Sequence, residues 1–383
     1  MKTNIYLTIL VFSLCACQPK EQPQSFSYSD YPIDTIEIDP TIITRALDTT
    51  EYIVEACFSL ELKDGVQDII AADVQLYNDR IYIMDERENK TVFVYDDQGH
   101  LLYRLGQIGH ARNEFIGGPS CFSIERSNGN VHIYERKTAR LLVFDKNGTY
   151  VKTIHFDRVP ERVCITNSGN YLCSFCPSKF VNDKLALYSN TGEYLKSVMP
   201  SASTEELPQW NCFYTNDKTT YWNPSMSDFV LKFDNDTIQS VYKLDFMGNF
   251  IPEEKAKDAL GKGNLDPAFS HIGVQFVEQA QMTDSLIHIV YANNKERFHY
   301  LQIRSKNKAF NNSGSYFRGR WPGDNYWISD DRMICVISDE NIRQINNFAD
   351  KTNTKIYNDT NDKIKKVLDG VIEPPVFVSV RIK

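Results

Sequence analysis

Three observations predict an all-β protein, a six-bladed β-propeller with short helical insertions. A strand-turn-strand-turn-strand unit recurs along the chain, its turns carry glycine at regular spacing, and the last residues form one further isolated strand. The unit is visible on aligning RIYIMDERENKTVFVYDDQGHLLYRL from Arg80, NVHIYERKTARLLVFDKNGTYVKTI from Asn130 and NYLCSFCPSKFVNDKLALYSNTGEYLKSV from Asn170. Their turn glycines, Gly99, Gly148 and Gly192, lie 49 and 44 residues apart. A fourth copy, SDFVLKFDNDTIQSVYKL from Ser227, has Asp236 and Thr237 where the glycine would fall. The fifth is SLIHIVYANNKERFHYLQIRSKNKAF from Ser285, and the least regular, the sixth, is built on NYWISDDRMICVIS from Asn325. A β-sandwich would give no reason for one unit to recur.

Within the copies the side chains alternate with period two, Val92 and Val94 against Phe93 and Tyr95, and Leu142 and Phe144 against Val143 and Asp145. Near-continuous apolarity in the second strand of each copy implies burial on both faces. Asp-Gln-Gly and Lys-Asn-Gly are tight-turn sequences, because Asn, Asp and Gly tolerate positive φ.

An open ring would leave a sheet edge that invites aggregation. The closing PVFVSVRIK supplies a clasp, residues 376–382, with Val376, Val378, Val380 and Ile382 on one face and Phe377, Ser379 and Arg381 on the other. This strand is expected to complete a blade with material from the other end of the chain. Two stretches interrupt the repeat as helical insertions. IPEEKAKDALGKGNLDPAF, near 251–270, has Pro252 at a helix start, Glu253 and Glu254 in the first turn and Gly261 at the end. TNDKIKKVLDG, near 358–370, has Thr360 or Asn361 as cap and Gly370 as stop.

The N-terminus reads as an export signal. Lys2 precedes an apolar run from Ile5 to Leu14, too short to cross a bilayer as a helix. Leu14-Cys15-Ala16-Cys17 resembles a bacterial lipoprotein box, which implies cleavage after residue 16 and acyl chains such as palmitate on Cys17. Several acyl chains hold a protein on a membrane far more firmly than one, at about 0.8 kcal/mol per buried methylene. The chain therefore divides into a signal peptide at 1–16, a tether at 17–32 rich in Gln, Pro and Ser, and a propeller body at 33–383.

Composition bounds the partners. A net charge of −8 with no basic run argues against nucleic acid. Beyond Cys15 and Cys17, seven cysteines remain at irregular spacing, an odd number that is no disulfide framework and reads as small buried apolar residues.

Few motifs carry chemistry. GQIGHARNEF, residues 106–115, contains Gly-x-x-Gly, but a phosphate cradle needs a helix after the glycines, and here a turn and a strand follow. It reads as a link between blades, with Phe115 entering the core. Cys173-Ser-Phe-Cys176 is a lone pair without further zinc ligands, on a strand that would point its thiols to opposite faces. Seven histidines are scattered, and Asp85-Glu86-Arg87-Glu88 reads as a solvated loop. No nucleophile elbow or HExxH motif is present, so no catalytic or cofactor-binding residue is assigned. Aromatic residues cluster between copies; among them Trp210, Trp222, Trp321 and Trp327 are candidate partner contacts, with wedging between blades as the alternative.

The whole mature chain resembles the six-bladed β-propeller lipoproteins with NHL-like repeats that abound in Bacteroidetes. The features that carry the likeness are the box at Cys17, GQIGHARNEF, SVYKLDFMGNFIPEE from Ser240 and the closing EPPVFVSVRIK. Two departures stand out: Ala111-Arg112-Asn113 replaces Gly-Pro-Gly in the loop, and Gly248 falls one residue late after Asp245-Phe246. The resemblance implies an outer-membrane address, compatible with Gln18 after the lipid cysteine. It carries no catalytic residues. The leading expectation is a non-catalytic binding or scaffold protein for an envelope protein or glycan, without a cofactor. The alternative is a hydrolase or lyase with calcium or zinc at the propeller axis.

Overall fold

The computed structural model describes residues 26–176, 182–201, 213–216, 219–224, 227–252, 255, 273–313, 325–343 and 361–383. It is a six-bladed β-propeller. Two strands precede blade 1 in the chain, β1 (Ile33–Glu37) and β2 (Tyr52–Ser59). Blade 1 is β3 (Asp73–Tyr77), β4 (Arg80–Asp85), β5 (Thr91–Asp96) and β6 (Leu101–Leu105), antiparallel in that order from the axis outwards. Blade 2 is β7 (Cys121–Ile124), β8 (Val131–Glu135), β9 (Arg140–Phe144) and β10 (Tyr150–His155). Blade 3 is β11 (Arg162–Ile165), β12 (Tyr171–Ser174), β13 (Asp183–Tyr188) and β14 (Tyr194–Pro200). Blade 4 contains β15 (Phe213–Thr215), β16 (Thr220–Trp222), β17 (Phe229–Asp234) and β18 (Thr237–Asp245). Blade 5 contains β19 (Val274–Met282), β20 (Leu286–Asn293), β21 (Glu296–Ile303) and β22 (Lys308–Ser313).

Blade 6 joins the two ends of the chain. Its inner strands are β23 (Trp327–Ser329) and β24 (Arg332–Ile337), its third is β25 (Val376–Ile382), and its outer strand is β2, paired from Tyr52↔Ile382 to Ser59↔Val376. The helix α1 (Asp362–Leu368) lies against β2, capped by the Asn361 side chain, which accepts from the Lys363 amide at 3.0 Å. Its Ile364 and Val367 are buried in the core between blades 5 and 6. Of the other proposed insertion, residues 253–254 and 256–270 lie outside the described residues.

The described apolar residues form six clusters, one at each interface between neighbouring blades. This explains why strands such as TVFVYD are apolar throughout. Val92 and Val94 face blade 2, while Phe93 and Tyr95 face blade 6, and all four are buried. The turn glycines serve the same packing. Gly99, Gly148 and Gly192 have φ of 87°, 85° and 88°, and a Cβ there would strike the outer strand of the preceding blade, at Ser59 O, the Tyr103 ring and His155 O respectively. Glycine is thus fixed twice, by φ and by space.

The link GQIGHARNEF folds back on itself. Gly109 N donates to Phe115 O at 2.9 Å and Phe115 N to Gln107 O at 2.7 Å, while the Glu114 carboxylate accepts from the Ala111 amide and the Gln107 side chain, both at 2.8 Å. Phe115 is fully buried between blades 1 and 2, and its ring occupies the space where a Cβ on Gly106 would fall.

The N-terminal segment corrects one boundary. The tether expected at 17–32 ends earlier, because Phe26, Tyr28 and Tyr31 pack against the core between blades 3 and 4, and Tyr28 stacks on Phe229 with centroids 4.0 Å apart. From there β1 adds in parallel to β18, making blade 4 five-stranded. The chain then crosses blade 5, where Thr44 N donates to Asn311 O at 2.8 Å and Asn311 Nδ2 donates to Asp39 O at 2.9 Å, before entering blade 6 as β2. It is a strap over three consecutive blades, closing edges that would otherwise stand open.

Candidate functional site: the axial channel and the seam cleft

The innermost strands β3, β7, β11, β15, β19 and β23 surround the axis, and a narrow channel of about 70 Å³ runs between them. Apart from the nine-residue β19 these strands are short, and polar side chains on the channel side tie the ring together beside its apolar packing. Gln75 Nε2 donates to Phe122 O at 3.0 Å, joining blades 1 and 2. Ser123 Oγ accepts from Ile165 N at 3.2 Å, and Cys164 Sγ lies 3.1 Å from Thr215 Oγ1. Asn216 Nδ2 donates to Met282 O at 3.3 Å, and Gln281 Oε1 accepts from Ile328 N at 2.8 Å. Tyr214 reaches across from blade 4 to blade 6, its hydroxyl donating to Ile328 O at 2.9 Å.

Among the described residues one carboxylate, Asp73, stands in this channel. Although half-buried against the channel itself, it sits deep inside the ring, and this withdrawal from bulk water pushes its carboxyl up to about 6. Gln75 Nε2 donates to it at 3.1 Å, and the Arg162 guanidinium acts on it through space, both opposing the shift.

The channel opens at both ends. On the face that carries the connections between blades, a cavity of about 430 Å³ is bounded by Glu86, Arg87, Phe276 and Trp327; Arg297 there is held by Glu278 at 2.9 Å and by Asn325 at 3.1 Å. On the opposite face a larger cavity of about 630 Å³ extends from Tyr214 and Asn216 outwards along the seam between blades 6 and 1, reaching Glu55 and Phe58 on β2 and Asp97 on blade 1. Its walls carry Arg80, Arg126 and Arg332 together with Glu55, Asp79 and Asp330. Arg381 and Arg332 both bind Glu55, at 2.8 and 3.4 Å.

Sequence-derived candidates are distributed unevenly over these features. Trp222 is 0 % exposed, in the core between blades 3 and 4, and offers no surface to a partner; its strand is an interior one, so the aromatic wedges the blades. Trp327 is 6 % exposed and lies at the wall shared by the channel and its connection-face mouth. Trp210, Trp321 and Cys17 lie outside the described residues. His132, His288 and His299 are buried within blades, not on the axis, while His100, His110 and His155 are exposed. Among the described residues no three His, Cys, Asp or Glu side chains gather as metal ligands. All six described cysteines are free thiols; Cys173 is fully buried, which pushes its thiol well up, and Cys176 is half-buried beyond the strand end.

Asp85 also corrects its reading as part of a solvated cluster. It is fully buried and accepts from the amides of Ile70, Arg87 and Glu88 and from Asn89 Nδ2, at 2.7 to 3.2 Å, anchoring a turn. Burial follows from this full set of donors.

Solved structures similar in fold include two from Bacteroides. A protein of Bacteroides fragilis NCTC 9343 inferred to be exported superposes with a TM-score of 0.75 at 14 % identity, over 92 % of this chain and 99 % of that one. A member of the duf4221 family from Bacteroides vulgatus ATCC 8482 superposes with a TM-score of 0.54 at 9 % identity, over 87 % of this chain and 98 % of that one. No curated protein matches. The model of the domain of unknown function DUF4934 matches residues 68–373, from the link before blade 1 to the turn before the closing strand, and the chain belongs to that family.

Proposed function

We propose that this protein is an exported cell-envelope lipoprotein, anchored through acylated Cys17, that binds a protein or glycan partner without catalysis. The observation that carries the binding reading is the open cavity of about 630 Å³ at the seam between blades 6 and 1. Its size is that of a small-molecule site. Its arginines and Glu55 are held by neighbours, as recognition requires. Trp327, at the other mouth, is a second partner contact. The address rests on the signal-like N-terminus, the box at Cys17 and likeness to a protein inferred to be exported.

Tether and cleft stand in a definite relation under this reading. The nine residues from Cys17 to Phe26 reach at most ~30 Å. Phe26 roots on the interface of blades 3 and 4, which in a ring of six lies diametrically opposite the interface of blades 6 and 1. The anchor therefore holds the far rim near the bilayer and leaves the cleft accessible.

Labelling cells with palmitate tests the anchor: wild type incorporates label and sediments with membranes, and Cys17→Ala does neither. A pull-down from native membranes that recovers no partner, combined with no binding across a glycan array, would remove the binding reading. Stoichiometric calcium or zinc in the purified protein would replace it with metal-dependent catalysis.

A further inference from the structure

We propose that the seam cleft is a binding site for a neutral polyhydroxylated ligand, a short oligosaccharide, with the Ser379 hydroxyl bonding it at the cleft wall; this rests on the binding reading above and gives it a ligand class. The cleft has a cause in the sequence. Pairing registers place Ser329, Ser379 and Ala56 of blade 6 at the positions that Tyr77, Val94 and Tyr103 hold in blade 1. In blade 1 the larger side chains fill the wedge towards blade 2: Val94 is fully buried, and the phenols of Tyr77 and Tyr103 donate to Arg126 O at 3.0 Å and Lys146 O at 2.6 Å. In blade 6 three small side chains leave the wedge towards blade 1 open.

Ser379 is the second observation. It lines the cleft, is 3 % exposed, and its Oγ has no hydrogen-bond partner among the described residues. A buried hydroxyl left unpaired is destabilising, and the valine at the equivalent place in blade 1 shows that an apolar residue fits this fold. A ligand hydroxyl completes its bonding.

The remaining groups select the ligand's chemistry. The guanidiniums are committed within the protein: Arg332 to Glu55, Arg80 to the Tyr103 hydroxyl at 2.7 Å, and Arg126 to Leu76 O at 3.0 Å. Each guanidinium already has an acceptor within the protein, which favours a neutral ligand over a carboxylate or phosphate, and the same three cations oppose a basic peptide. The turns at Asp79 and Asp330 present carboxylate acceptors at the opening, and the stacked Phe58 and Phe377 supply aromatic surface. Acceptors beside aromatic surface match hydroxyl donors on a ring with apolar C–H faces.

Titration of the full-length detergent-solubilised protein with tetrasaccharides of glucose, xylose, mannose and galactose tests this. At least one is expected to bind saturably. Ser379→Leu, which fills the cleft, should abolish that binding. Ser379→Ala should weaken it by roughly threefold to tenfold, the loss of one hydrogen bond, with an unchanged or raised melting temperature. Absence of binding by all four overturns the proposal; if a partner recovered from native membranes is nevertheless lost in Ser379→Leu, the binding reading survives with another ligand class. Tetralysine binding that Ser379→Leu abolishes overturns the neutral class in the same way. A tetrasaccharide that binds wild type and both variants equally overturns the cleft as the site.

Discussion

The hydroxyl of Tyr171 on blade 3 lies 3.0 Å from His132 Nδ1 on blade 2, while His132 Nε2 lies 3.3 Å from the Glu125 carboxylate. A neutral imidazole satisfies both contacts, accepting from tyrosine and donating to glutamate. Burial holds His132 below its ordinary value against the pull of Glu125, which is itself lowered to about 2, chiefly by the bond to His132. Burial also lowers His299 to about 3 and His288 well below the ordinary range. Lowered folded values mean that the unfolded chain binds more protons, so stability is fully present above pH 6.5 and falls as pH drops below it, by about 1.4 kcal/mol per pH unit for His299 and in the same direction for His132 and His288. Asp73 works in the opposite sense, its contribution being present below 3.8 and lost as pH rises through about 6. Three histidines outweigh one carboxyl. Denaturation midpoints should therefore fall from pH 6.5 towards 4.5, and Tyr171→Phe should lower stability at pH 7 by about 1–3 kcal/mol through the unpaired Nδ1. A midpoint flat across that range contradicts the assignment.

Gly192 and Gly169 provide a matched pair for the double constraint on turn glycines. Both have positive φ, 88° and 84°, but a Cβ on Gly192 would lie 2.4 Å from His155 O, whereas one on Gly169 meets nothing within 4 Å. Gly169→Ala should cost about 1 kcal/mol, from backbone conformation alone. Gly192→Ala carries that cost and displaces blade 2 from blade 3, so about 2–4 kcal/mol is expected. Equal melting temperatures for the two variants would show that the packing constraint is absent.

Much of the ring was legible because the middle strands of its blades are buried on two faces and its turns need glycine. The inner strands were harder to find. Sequences such as CFSI and RVCI are four residues long and face a narrow polar channel, so neither length nor apolar periodicity marks them. Phe26, Tyr28 and Tyr31 belong to the tether by composition, because serine and proline surround them; the stacking of Tyr28 depends on Phe229, about two hundred residues away. For the cleft, sequence placed Ser379 on the correct face with Phe377 and Arg381. That this face opens became visible only when strand registers showed Ser329, Ser379 and Ala56 standing where blade 1 has Tyr77, Val94 and Tyr103. Trp327, read from the sequence as lying between copies, belongs to an inner strand, as does Tyr214.

Removing the stacked ring of Tyr28 tests the strap. Tyr28 lies parallel to Phe229 within 9°, and Lys243 Nζ sits 4.4 Å from the Phe229 centroid. Tyr28→Ala should remove about 1 kcal/mol of aromatic interaction beyond its buried area. Because β1 is an added edge strand on blade 4, the loss should be local: amide exchange in β1, Ile33–Glu37, quickens while the global melting temperature moves little. Unchanged exchange in β1 would mean that Phe26 and Tyr31 hold the segment without it.

Deleting residues 376–383 should prevent folding. The deletion removes β25, which stands between β24 and β2, so both lose their ladder partner. Val376, Phe377, Val378, Val380 and Ile382 are all buried. At about 1.5–3 kcal/mol for each such side chain, their loss is on the order of 10 kcal/mol, as large as the whole stability of a typical folded domain. Blade 6 would then fall apart and blades 5 and 1 would each expose an apolar face, so the truncated chain should appear in the insoluble fraction. A soluble truncated form melting at the wild-type temperature would show that the ring holds without its clasp.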